Sequence, residues 1–169
     1  RGHDLPNVLA EALKIVSFGA QGITVHPRPD GRHIRWPDVE TLKEHLQVEL
    51  NIEGYPSDDF MDRVLEIEPA QCTLVPDPPE VLTSNAGWKV FGNEELLAPV
   101  IKKLADKGIR VSLFIDPFSI DMKELLSLRD MGAHRVELYT ERYADDYPTS
   151  EREETLKVYQ RVATLARSM

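Results

Sequence analysis

The feature that most constrains this chain is a repeated order of short apolar run and amphipathic segment at nearly constant spacing. Runs of strand character begin near residues 22, 48, 72, 109 and 134, so successive starts lie about 26, 24, 37 and 25 residues apart. Strands are predicted over 22–26, 48–53, 72–75, 109–115 and 135–140. Helices are predicted over 5–18, 38–46, 57–66, 93–107 and 121–131, and from a cap at Thr149 or Ser150 to the C-terminus. Asp4 is expected to cap the first helix and Ser57 or Asp58 the third, with Gly19 and Gly108 as stops. Strand and helix alternating at this spacing demand parallel strands joined by right-handed crossovers. Two α/β architectures satisfy that demand, an open doubly wound sheet and a (β/α)8 TIM barrel. No glycine-rich phosphate loop or GxGxxG follows the first strand, which favours the barrel. A barrel needs eight strands, and about five are visible in 169 residues. The expectation is an incomplete (β/α)8 barrel forming one domain over residues 1–169.

Charge narrows the partners. The net charge of -9 argues against nucleic acid or an anionic membrane as the main partner. Local Arg and His residues can still reverse that field inside a pocket for a small anion. Cys72 is the only cysteine, so no intrachain disulfide is possible, and it reads as a small buried apolar residue. No apolar run reaches the length of a membrane span, and no signal peptide is visible. A cytoplasmic setting is the expectation.

Ligands of parallel β/α domains lie at the C-terminal ends of the strands. The first strand runs into His26-Pro-Arg28-Pro-Asp30-Gly-Arg32-His33. His26 is placed to move a proton near neutral pH. Arg28, Arg32 and His33 make a basic cluster suited to a phosphate, and Pro27 and Pro29 stiffen the backbone around Arg28. Glu53 ends the second strand, where burial in a barrel mouth would raise its pKa and suit it to acid or base work. Glu137 lies further inside the fifth strand and reads equally as a site residue or a structural carboxylate. Asp116, before Pro117, reads as a cap or turn residue. Apart from these ends, the strand bodies read as mostly Ile, Val and Leu. The proline-rich stretch 76–92 reads as a functional loop. No His pair has i, i+4 spacing on a predicted helix, no HExxH or CxxC occurs, and no metal is expected.

The segment Gly22-Ile-Thr-Val-His-Pro-Arg-Pro-Asp-Gly-Arg-His-Ile34 resembles the pyridoxine 5'-phosphate synthase family. Leu50-Asn-Ile-Glu53, Thr73-Leu-Val-Pro76, Val111-Ser-Leu-Phe-Ile-Asp116 and Val136-Glu137 agree with it in order, so the match covers nearly the whole chain. The resemblance implies a TIM barrel that condenses 1-deoxy-D-xylulose 5-phosphate with 3-amino-2-oxopropyl phosphate. The products would be pyridoxine 5'-phosphate, phosphate and water. It implies that His26 and Glu53 transfer protons and that Glu137 stabilises the transition state. Arg28, His33 and Thr83 would bind the deoxyxylulose phosphate, and Arg1 the aminoketone phosphate. It also implies an octamer and no cofactor. Measured against the family pattern, the first strand and the last two βα units fall outside these residues. Tyr139 stands where some relatives have His. Two other readings are an aldolase or isomerase acting on phosphosugars, and a truncated barrel that binds a phosphorylated ligand without turnover. An aldolase would favour a strand-borne lysine able to form a Schiff base, and none is present in the predicted strands.

Overall fold

The computed structural model describes residues 7–77 and 86–169. Five parallel strands form where the spacing predicts them: β1 (Gly22–Val25), β2 (Glu49–Gly54), β3 (Gln71–Leu74), β4 (Arg110–Ile115) and β5 (Arg135–Leu138). They lie in chain order, β1-β2-β3-β4-β5, each hydrogen-bonded to the next. Helices α1 (Val8–Ser17), α2 (Trp36–His45), α3 (Asp58–Ile67), α4 (Glu94–Asp106) and α5 (Met122–Asp130) alternate with them, followed by α6 (Glu141–Asp146) and α7 (Arg152–Arg167). Sequential order in a parallel sheet, with a helix at every crossover, is the arrangement of an α/β barrel wall, here a curled half-barrel.

Local chemistry sets the helix ends. Asn7 caps α1, its Oδ1 accepting from the Ala10 N–H at 2.9 Å; the predicted cap Asp4 lies outside the described residues. Helix α2 begins two residues earlier than predicted. Asp38 reaches back to accept from the Arg35 N–H at 2.9 Å, and Pro37 sits in the first turn, where no N–H is required. Ser57 caps α3 as expected. Asp121 and Glu124 form a reciprocal capping box on α5. Helix α6, unpredicted, is a six-residue turn with no buried residue and therefore no periodic signal.

Period-2 alternation divides each strand between two environments. On one face Val25, Leu50, Ile52, Cys72, Leu74, Val111, Leu113 and Ile115 are buried, and they belong to one apolar cluster with Val39, Leu42, Val64, Leu97, Ile101, Leu104 and Leu128 of the helices. The other face is mainly polar, not only at the strand ends as the sequence suggested, and Phe114, in register with Glu137, interrupts it. Thr24, Asn51, Gln71 and Arg110 stand in one register row, and Glu53, Thr73, Ser112 and Arg135 in the next. Hydrogen bonds knit this face together. Asn51 Nδ2 donates to Thr24 Oγ1 at 3.3 Å and to Thr73 Oγ1 at 3.0 Å. Gln71 Oε1 accepts from Arg110 Nε and Arg135 Nη1, both at 3.0 Å. Arg110 also grips both carboxylate oxygens of Glu49. Buried polar atoms must be paired, and here strands pair them with one another across the concave side.

Candidate active site

Three of the expected site residues meet at the C-terminal rim of this concave face. His26 follows β1, Glu53 is the fifth residue of β2, and Glu137 is the third of β5. His26 Nδ1 lies 3.9 Å from Glu53 Oε2, with side chains 26% and 18% exposed. Glu53 in turn shares a side-chain hydrogen bond with Glu137. Strands β2 and β5 are three positions apart. In a flat sheet at about 4.8 Å per strand they would be roughly 14 Å apart. A direct hydrogen bond between their side chains requires the sheet to curl.

Burial first, then the charge and hydrogen bond of Glu137, push the Glu53 carboxyl up to about 8. Burial, reinforced by the positive charges of Arg28 and Arg32 and opposed by Asp77, pulls His26 down to about 4. A His and a carboxylate at 3.9 Å fall within ion-pair range. At neutral pH, however, the imidazole is unprotonated and Glu53 keeps its proton, so this contact joins two neutral groups. One is free to accept a proton and the other to give one. That is the division of labour found where two titratable groups have their pKa values driven apart.

A cavity of about 50 Å³ opens on the His26 side of this pair, walled by His26, Arg28, Trp36, Tyr55, Phe60 and Asp77 but not by Glu53. It holds a group of a few heavy atoms. Its floor is set by close packing at Gly54, where a Cβ would lie 2.2 Å from the Phe60 ring. Arg28 follows buried Pro27 and faces the same cavity as His26. His33, by contrast, is exposed on the loop before α2 and does not line the cavity. Arg1 and Thr83 lie outside the described residues, as do residues 78–85 of the loop predicted to be functional. Asp116 is a turn residue, its Oδ1 accepting from the Phe118 N–H at 2.9 Å.

Cys72 is fully buried on the helix-side face, and burial pushes its thiol up, so it offers no nucleophile. Among the described residues no group of three or more His, Cys, Asp or Glu is arranged to hold a metal ion. None of the five strands carries a lysine. No helix among the described residues is long and apolar enough to cross a membrane. Asp77 was not singled out in the sequence. It follows a strand by three residues inside a proline-rich stretch, where spacing gives no facing signal.

The family model for pyridoxal phosphate biosynthesis protein PdxJ matches residues 1–169. A pyridoxine 5'-phosphate synthase of Parabacteroides distasonis is 46% identical over 169 residues, covering 100% of this chain and 69% of that protein. Those of Christiangramia forsetii and Bacteroides thetaiotaomicron are 50% and 51% identical over 147 and 148 residues, each alignment covering 61% of the relative and 87% or 88% of this chain. The chain thus spans 61–69% of the length of these relatives. Among solved structures, a mandelate oxidase with (S)-2-phenylpropionate aligns at a TM-score of 0.56 and 12% identity, covering 77% of this chain and 44% of that one. At that identity the likeness concerns the fold alone. The specific strand-end motif and the match along the whole sequence agree: this chain belongs to the PdxJ family of pyridoxal phosphate biosynthesis proteins.

Proposed function

We propose that the protein acts as a pyridoxine 5'-phosphate synthase, condensing 1-deoxy-D-xylulose 5-phosphate with 3-amino-2-oxopropyl phosphate to pyridoxine 5'-phosphate, phosphate and water. The observation that carries this reading is the adjacent pair of a neutral His26 and a protonated Glu53 beside an arginine-walled cavity. Ring closure of this kind proceeds through imine formation, loss of water and loss of phosphate. Each step needs a proton removed at one atom and supplied at another. In this reading His26 accepts a proton from the bound substrate. Glu53 protonates a departing oxygen and is reloaded through Glu137, whose carboxylate also balances positive charge developing in the transition state. Arg28 binds the deoxyxylulose phosphate. His33, Thr83 and Arg1 complete the binding of the two phosphorylated substrates once ligand is present. The reading takes residues 1–169 as part of a single barrel domain that works as an octamer in the cytoplasm without a cofactor.

The test is Glu53→Gln, which keeps the shape and removes the ionisable proton. Turnover of the full-length protein should fall by at least 100-fold, the scale of general acid catalysis, while deoxyxylulose phosphate still binds. Normal turnover in this variant would refute the role of Glu53. Saturable binding of both phosphate esters by the unaltered protein without any product would favour a binding protein instead.

A further inference from the structure

The chain leaving β3 is held against the end of β2: the Val75 N–H donates to the Gly54 carbonyl at 3.0 Å. Two residues later Asp77 enters the wall of the cavity that contains His26. Its Oδ2 is buried, and among the described residues it is the one buried side-chain oxygen without a hydrogen-bond partner. A buried carboxylate oxygen left unpaired is costly, and its persistence calls for a function. The charged groups that act on His26 or stand within ion-pair range of it come from three elements: Arg28 and Arg32 from the loop after β1, Glu53 from β2, and Asp77 from the segment after β3; Tyr55 and Asp59, the latter paired with Arg63, also line its cavity. Both arginines oppose a positive imidazole. Asp77 acts in the other direction.

We propose that Asp77 is the charge partner of His26, a positioning residue whose carboxylate, seated in the same cavity, stabilises the imidazolium that His26 becomes when it takes a proton from substrate. The inference rests on the reading of His26 as the proton acceptor. The proton passes from substrate to an imidazole nitrogen and from there to solvent, while Glu53 protonates the departing oxygen; it does not pass to Asp77. The arrangement resolves a conflict within the site. Burial, and with it the arginines that hold a phosphate, keep the resting imidazole neutral, as a base must be. They also disfavour the protonated form that the same base must pass through. A fixed negative charge offsets that penalty at the moment of transfer.

Asp77→Asn preserves shape and removes the charge. In the full-length protein it should lower kcat at least tenfold, with KM for each substrate changed less than threefold. The solvent deuterium isotope effect on kcat should rise, because proton transfer to His26 becomes more rate-limiting. Asp77→Glu should recover part of kcat. A purely structural role would move neither the isotope effect nor the split between kcat and KM. A second measurement needs no turnover. In an Arg28→Ala background, which brings the His26 midpoint upward, the histidine carbon resonance should titrate at least about half a unit lower when Asp77→Asn is added, roughly a threefold loss of proton affinity. His26→Asn separates the two claims. If it abolishes turnover while Asp77→Asn leaves kcat within twofold and the midpoint unmoved, Asp77 has no such role and the reading of His26 stands. If His26→Asn turns over normally, His26 is not the acceptor and the inference falls with it.

Discussion

The proton inventory of the site has consequences for stability as well as chemistry. Glu53 is raised from 4.5 to about 8, so the folded chain keeps a proton that the unfolded chain has already lost, and stability falls as pH rises through that window. His26 is lowered from 6.5 to about 4, so the unfolded chain takes up a proton that the folded chain refuses, and stability rises with pH between those values. The two slopes offset one another between about 4.5 and 6.5. Above 6.5 only Glu53 acts. Urea unfolding at pH 6.5 and pH 8 should show a loss of at most about 2 kcal/mol over that interval, and Glu53→Gln should flatten it. A separate expectation concerns Arg28: Arg28→Ala should weaken deoxyxylulose phosphate binding by roughly 1.5–3 kcal/mol, the range for a charge-assisted contact, measured by calorimetry. His26, Arg28 and Glu53 were legible in the sequence because each stands at a strand end beside Pro or Gly. The values their neighbours impose on them were not, because Glu137 and Asp77 come from segments 84 and 51 residues away from Glu53 and His26 respectively, as their positions give (137 − 53, 77 − 26).

At the scale of elements, spacing and capping chemistry located all five strands and all the helices except α6. What they could not supply was facing. A run such as Val111-Ser-Leu-Phe-Ile115 reads as one apolar stretch. Its Ser112 nevertheless stands in the polar row with Glu53, Thr73 and Arg135, while Val111, Leu113 and Ile115 lie under the helices. Nor does sequence reveal where two segments nearly touch. A Cβ on Gly87 would lie 2.0 Å from the backbone nitrogen of Asp116. The reason is the next residue: the Trp88 N–H donates to the Phe114 carbonyl at 2.8 Å and its indole N–H to the Leu74 carbonyl at 2.9 Å. This clamps the chain after the loop across the ends of β3 and β4. Gly87→Ala should therefore destabilise the fold by about 1–3 kcal/mol or more, the cost of overpacking against backbone that cannot yield. The shift in urea midpoint measures it.

Across the whole molecule, the concave face works as a set of cross-strand ties. Gln71 joins β3 to β4 and β5 through two guanidinium groups, and it is only 9% exposed. Gln71→Ala removes both bonds and should cost about 1.5–3 kcal/mol, as hydrogen bonds to charged groups do, although it stands far along the strands from the rim; differential unfolding in urea tests this. The hydrogen bond between Glu53 and Glu137 joins strands that share no backbone bond. The curvature brings them together, and burial first, then the neighbouring Glu137, raises the pKa of Glu53. The acidity of Glu53 is therefore a gauge of shape: wherever the wall is opened, its burial and its contact with Glu137 are lost together, and the carboxyl falls back toward the ordinary range.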